Sequence, residues 1–227
     1  MGIISIEKAD HLFWLGRYAE RVLTTLTTFF DFYDEMIDGN EEAYKVFCEK
    51  IAIPDIYGSK ENFQQSYLFD SRNPDSVISN MERAFDNGVV IRGELGTYPL
   101  SYIQMALDSL KGEGGNAGAP VYDLQQVIDY LNAFWGCMDD QTEDEQCRNI
   151  MKCGKYVERL DLYMRLGYPA GAVEKEFSKL VNRLHKAGIP YRVDHEARLA
   201  EIIRMGEGWR DHENQALYAL WNLFEVM

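Results

Sequence analysis

The hexapeptide Gly16-Arg17-Tyr18-Ala19-Glu20-Arg21 returns almost unchanged as Gly154-Lys155-Tyr156-Val157-Glu158-Arg159. Each copy carries a glycine, a cation, a tyrosine and an adjacent glutamate–arginine pair. Arginine's planar fork takes carboxylates and phosphates bidentately, so two such arginines could grip an anion. At about 100° per residue, the first copy puts Glu20 on the flank of its apolar stripe and Arg21 nearly opposite. Trp14 lies near the face of Arg21, and Tyr18 stands between. In the second copy Ile150, Cys153, Val157, Leu160 and Met164 form the stripe, and Tyr156 and Arg159 share the other side. Adjacent residues on a helix do not face each other, so neither glutamate can pair well with its own arginine. The simplest solution is reciprocal: Glu20 to Arg159 and Glu158 to Arg21, across two helices related by approximate two-fold symmetry. Gly16 and Gly154 would let those helices approach closely. Two readings fit, an interhelical ion-pair knot or an anion site built from Arg21, Arg159 and the two tyrosines.

The first copy sits in a segment from about Ser5 to Asp38, whose apolar positions run Leu12, Leu15, Ala19, Val22, Leu26, Phe29, Tyr33 and Met36 at helical spacing. Asp38-Gly39-Asn40 ends it. Shorter helices are expected at Glu41–Lys50 and near Lys60–Phe69. Asn73-Pro74-Asp75 reads as a cap with proline at the first helical position, opening a helix to about Leu95. Another runs Thr97–Leu110. The stretch 111–119 is rich in glycine and reads as a linker. Val121–Met138 is helical, and Thr142-Glu143-Asp144-Glu145 reads as a capping box for the helix of the second copy, which Gly167 closes. Ala172–Ala187, Asp194–Met205 and Asp211–Val226 complete the set, the last two with aspartate at the N-cap; Ile189–Val193 reads as extended. The expectation is an all-α multi-helix bundle, one domain over 1–227 in two related halves of about 1–110 and 120–227.

Composition narrows the chemistry. With 37 acidic against 23 basic residues and a net charge of −14, nucleic acid is not expected as a partner, because phosphate binding needs clustered cations. No apolar run is long enough to span a bilayer, and no secretory signal is visible, so a cytoplasmic protein is expected. Cys48, Cys137, Cys147 and Cys153 form no CxxC pair and read as reduced thiols. None of the four histidines has a glutamate three residues before it, which removes the di-iron bundle signature. No HExxH, Walker or dinucleotide motif occurs, so neither metal nor cofactor is expected. Asp194-His195-Glu196 reads as a helix start, and Cys153, on the core stripe, as an inert thiol. Tyr218, Trp221 and Phe224 read as core or as a dimer contact, which leaves a homo-oligomer open.

The two Gly-[Arg/Lys]-Tyr-x-Glu-Arg segments resemble the signature of the alpha-E family, bacterial helical proteins named for their Glu-Arg motif. Arg83-Ala84-Phe85-Asp86-Asn87-Gly88-Val89-Val90-Ile91-Arg92 is similar to that family's middle helix, and Asp161 and Arg165 match the residues usual after its second Glu-Arg. Leu23, Thr27 and Gly93 depart from the pattern. The resemblance implies an all-helical fold and a place beside ATP-grasp ligase-like or transglutaminase-like proteins in peptide synthesis or modification. The expected ligand-binding set is Arg17, Tyr18, Glu20, Arg21, Arg83, Asn87, Arg92, Lys155, Tyr156, Glu158 and Arg159. Three functions stay open. One is an accessory protein binding an anionic peptide or acyl-phosphate-like ligand. The others are an amide-bond enzyme with Glu20 or Glu158 as general base, and a purely structural interaction module.

Overall fold

The structure is a computed structural model that describes residues 4–113 and 124–224. The long first helix is α1 (Ile6–Ile37), capped by Ser5, whose side chain accepts from the Lys8 amide. It is followed by α2 (Ala43–Lys50), α3 (Lys60–Ser66), α4 (Val77–Val90), the single turn α5 (Arg92–Leu95) and α6 (Thr97–Glu113). Then come α7 (Gln125–Gln141), α8 (Glu145–Arg165), α9 (Ala170–Ala187), α10 (Val193–Ile203), a 3-10 segment (Gly206–His212) and α11 (Glu213–Trp221). Among the described residues the only β feature is an isolated bridge between Tyr191 and Phe224. The fold is all-α.

Helices α1 and α8 form the centre. α4 packs on α1, α9 packs on α8, and α6 packs on both α4 and α7. The stripe expected on α1 is buried at Leu12, Leu15, Ala19, Val22, Leu26 and Phe29, and that on α8 at Ile150, Cys153, Val157, Leu160 and Met164. An aromatic cluster fixes the short helices to the far half of α1. Phe29 meets Phe47 of α2 edge-on at 5.7 Å, and Phe63 of α3 stacks on Tyr67 at 4.9 Å. That cluster brings the α2–α3 connection over the central layer. Ala52 there takes a left-handed backbone, φ 57°.

Several helix ends differ from expectation, each because another polar group wins the cap. α4 starts at Ser76, which accepts from the Ser79 amide, and not at Asn73. Asn73 instead turns the chain, accepting from the Asp75 amide at 2.9 Å and donating to the Tyr57 hydroxyl. α4 also stops at Val90 before a new turn begins at Arg92. Asp144, not Thr142, caps α8; Thr142 is buried and its hydroxyl faces the Leu95 carbonyl. Asp194 lies inside the first turn of α10, with Arg192 at the cap, and Asp211 falls in the 3-10 segment before α11. Of the expected linker, 111–113 belong to α6, while 114–119 lie outside the described residues, as do 121–123 and 225–227.

Candidate functional site: a charged layer and its cleft

The two glycines sit at the crossing of α1 and α8, backbone against backbone. A Cβ built on Gly16 would overlap the Met151 carbonyl oxygen, and one on Gly154 the Phe13 carbonyl oxygen. No side chain fits between the helices there. This approach brings the two Glu-Arg pairs within reach of each other.

The reciprocal pairing expected from the sequence is present. Arg21 donates from Nε to Glu158 at 2.5 Å, and Arg159 donates from Nε to Glu20 at 2.6 Å. Both carboxylates are buried, Glu20 at 0% and Glu158 at 1% exposure. Arg17 adds a second donor to Glu158, through Nε at 2.8 Å and Nη2 at 2.7 Å. Burial alone would raise the Glu158 carboxyl, but the Arg17 and Arg21 guanidiniums outweigh it and hold it below the usual carboxylate range. Asp161, one turn further on, bonds Arg165 Nε at 3.2 Å and accepts from the Trp221 indole at 2.7 Å. Burial and the neighbouring Glu158 charge push its carboxyl upward.

The Glu20 side is built differently. Arg159 also reaches Glu176 of α9 at 3.4 Å, and Lys179 bonds the other oxygen of Glu176 at 2.7 Å. Lys155 holds Arg17's place in its hexapeptide, but it lies over the Trp135 ring at 4.0 Å. Burial pushes Lys155 down to about 8, against the opposing pull of Glu20. Glu20 Oε2 is left buried with no hydrogen-bond partner among the described residues. Thr24 donates to Oε1 at 3.0 Å.

Contacts around the two copies match in pairs. Arg83 of α4 lies over Tyr18 at 5.7 Å, and Lys179 of α9 lies over Tyr156 at 5.7 Å. One turn beyond Arg83, Asn87 pairs with His11 at 2.8 Å. One turn beyond Lys179, Arg183 donates to Asn149 at 3.1 Å. His11 and Asn149 precede their glycines by the same five positions.

Beside Glu158 the layer opens into a cleft of about 450 Å³ lined by side chains from both central helices. That volume lies within the ordinary range for small-ligand sites. One wall is a ladder in which Arg17 covers Trp14 at 5.0 Å, Trp14 stacks on Tyr18 at 5.3 Å, and Arg83 covers Tyr18. Arg165 over Trp221 at 5.1 Å forms another part of the wall. Asn80 and Asp75 from the α4 side, with Ile51 and Ala52, complete the lining. Arg17, Arg21, Arg83 and Arg165 face Glu158, Asp161 and Asp75, which leaves the cleft cationic on a strongly acidic chain. Arg83 bonds the Pro74 carbonyl at 2.8 Å and, among the described residues, pairs with no carboxylate.

The eleven residues singled out by sequence therefore separate. Arg17, Tyr18, Arg21, Arg83 and Glu158 line the cleft. Glu20, Lys155, Tyr156 and Arg159 lie on the other side of the crossing. Asn87 is engaged by His11 and by the Arg83 carbonyl. Arg92 is exposed at the start of α5, apart from the cleft. Sequence reasoning left out of its set Asn80, Asp161, Arg165 and Trp221. Asp161 and Arg165 carried a signal, standing one and two turns after Glu158 on one face. Trp221 carried none, because its partners lie on α8; it is half-exposed at 53% and forms a cleft wall, not core. Cys153 is fully buried, and burial pushes its thiol far above the ordinary value. Among the described residues no group of three or more His, Cys, Asp or Glu side chains is placed to hold a metal. No described helix is long and apolar enough to cross a membrane.

Fold and layer together define an all-helical protein organised round reciprocal glutamate–arginine pairs. A family model described as a predicted alpha-helical domain with a conserved ER motif matches residues 7–200, and the chain belongs to this Alpha-E family. Comparison with curated proteins and with solved structures gave no match.

Proposed function

We propose that the chain is a binding protein whose cleft takes an anionic ligand, a peptide or acyl-phosphate-like group, between Arg21, Arg83 and the aromatic walls. The observation that carries this reading is Arg83, a guanidinium at the cleft face whose only hydrogen-bond partner among the described residues is a backbone carbonyl. A fork without a carboxylate partner, in a net cationic cleft, is where an incoming anion gains most. Stacked Trp14 and Tyr18 supply a rigid apolar surface for the rest of the ligand.

Binding suits the layer better than acid–base catalysis. A general base needs a carboxylate that is accessible and titrates near neutrality. Glu20 is sealed from solvent, and Glu158 is held ionised by two guanidiniums. The family resemblance suggests ATP-grasp or transglutaminase-like proteins as partners, in a bacterial peptide synthesis or modification system, and an anionic peptide would be a fitting cargo.

The test is a thermal-shift screen of wild type and Arg83→Ala against inorganic phosphate, acetyl phosphate and short acidic peptides. A ligand at about 100 times its Kd adds about 2.7 kcal/mol, or about 5–10 °C for a chain of this size. The expected result is a shift in wild type that Arg83→Ala loses while keeping its own melting point. Failure of every probe to shift wild type, or an equal shift in the variant, refutes the reading.

A further inference from the structure

The matched contacts place Glu176 and Asn80 at equivalent positions. Each stands three residues before the cation that covers its tyrosine: Glu176 before Lys179, and Asn80 before Arg83. Both side chains are buried, at 5% and 4% exposure. In the α8–α9 copy, the Glu176 carboxylate bridges Arg159 and Lys179, one oxygen to each. In the α1–α4 copy the corresponding cations are Arg21 and Arg83, and the residue between them is a neutral amide. Asn80 donates to the Ser76 carbonyl at 2.7 Å and leaves both cations without a bridging carboxylate. The cleft opens on that side.

Resting on the anion-binding reading above, we infer that the ligand's anionic group is a carboxylate, seated between Arg21 and Arg83 as Glu176 is seated between Arg159 and Lys179. The protein's own second copy is then the template for its ligand. Arg159 donates to two carboxylates at once, to Glu20 from Nε and to Glu176 from Nη1. Arg21 has Glu158 on Nε and Asp161 at 3.9 Å from Nη2, and among the described residues nothing bonds its Nη1. Glu158 stands to the incoming carboxylate as Glu20 stands to Glu176, and the cleft's further acids, Asp161 and Asp75, are offset by Arg17 and Arg165 beside Arg21 and Arg83. A planar carboxylate on a short apolar stem fits that place; a glutamyl or aspartyl side chain and a free peptide C-terminus both provide one.

The experiment measures binding to the full chain by calorimetry with three blocked or free peptides of equal length, and with inorganic phosphate. The first contains one internal glutamate and is blocked at both ends, the second replaces it with glutamine, and the third has a free C-terminus and no acidic side chain. Wild type should bind the first or the third, which names the source of the carboxylate, and should bind the glutamine peptide about tenfold to a hundredfold more weakly than the better of the two. Asn80→Glu should place a carboxylate in the seat, keep or raise the melting point, and lose binding by a similar factor. Gln125→Glu, which adds the same charge at an exposed position of α7 outside the cleft, should stay within about threefold of wild type. Equal binding of the glutamine peptide and both carboxylate peptides overturns the inference, as does binding of phosphate alone, or a folded Asn80→Glu that binds like wild type. Those outcomes leave anion or cleft binding standing. Absence of binding to every probe removes the anion-binding reading itself. Should Asn80→Glu fail to fold, the peptide series in wild type decides the question unaided.

Discussion

Gly16→Ala puts two opposing effects into direct competition. In an exposed helix interior, alanine gains about 1 kcal/mol over glycine through propensity. At Gly16 the new Cβ overlaps the Met151 carbonyl oxygen and lies 3.0 Å from its carbon, atoms that no rotamer change can move. Relief requires α1 and α8 to separate by about 1 Å, given ordinary contact distances. Overpacking of this kind costs about 1–3 kcal/mol. The same separation stretches Arg21–Glu158 and Arg159–Glu20, at 2.5 and 2.6 Å and buried on both sides of the crossing. Outright loss of a buried pair costs about 3–5 kcal/mol, so partial loss brings the net destabilisation to about 2–4 kcal/mol after the propensity gain. For a chain of this size that lowers the melting point by about 5–15 °C. Thermal and urea unfolding would measure it. Gly136→Ala provides the control, since that α7 glycine has nothing within 4 Å of a built Cβ and should gain about 0.5–1 kcal/mol. A Gly16→Ala protein as stable as Gly136→Ala would refute the close crossing and the layer built on it.

Glu158→Gln strands Arg17 and Arg21 and should cost about 3 kcal/mol at pH 7 in urea unfolding. Because the folded Glu158 carboxyl sits below its unfolded value, that contribution is complete above about pH 4.3 and disappears as pH falls through the folded value. The gap between wild type and variant should narrow there. Lys155 destabilises at neutral pH because its charge is buried: with its folded value lowered to about 8, stability should likewise rise with pH, between about pH 8 and pH 10.4, and a pH series on Lys155→Met should lack that rise. In native protein, thiol labelling at neutral pH should reach the partly exposed Cys137 first and spare Cys153, whose burial suppresses the thiolate.

The pairing of Glu20 with Arg159 and of Glu158 with Arg21 was legible because adjacent helical residues must look elsewhere for partners, and each repeated glutamate found the other copy's arginine; the added Arg17–Glu158 bond was not foreseen. The glycines were legible for a related reason: a residue that weakens a helix, placed twice at the same point, signals a contact. Caps were less so. Thr142 and Asp144 both satisfy the rules for starting α8, and the choice rests on the burial of Thr142 against α5, a contact between distant segments. Asn80 gave no sign at all. Its meaning depends on sharing a place with Glu176, and the two surrounding sequences have little in common beyond their buried positions. Trp221 was invisible as a cleft wall because its partners, Asp161 and Arg165, belong to a helix far away in the chain.

The interleaved pairs also set an order of events as the chain folds. The bonds joining Arg17 and Arg21 to Glu158, and Arg159 to Glu20, close loops of 141, 137 and 139 residues. Each needs the chain to meet itself over more than half its length, a slow step relative to local helix formation. While only the first segment has emerged from the ribosome, Glu20 has no arginine from α8, and Arg17 and Arg21 have no Glu158. α1 must then keep its charged flank in water until α8, about two thirds of the way along the chain, has been made. The net charge of −14 is useful in that interval, since it keeps a nascent chain with an unburied apolar stripe from meeting copies of itself.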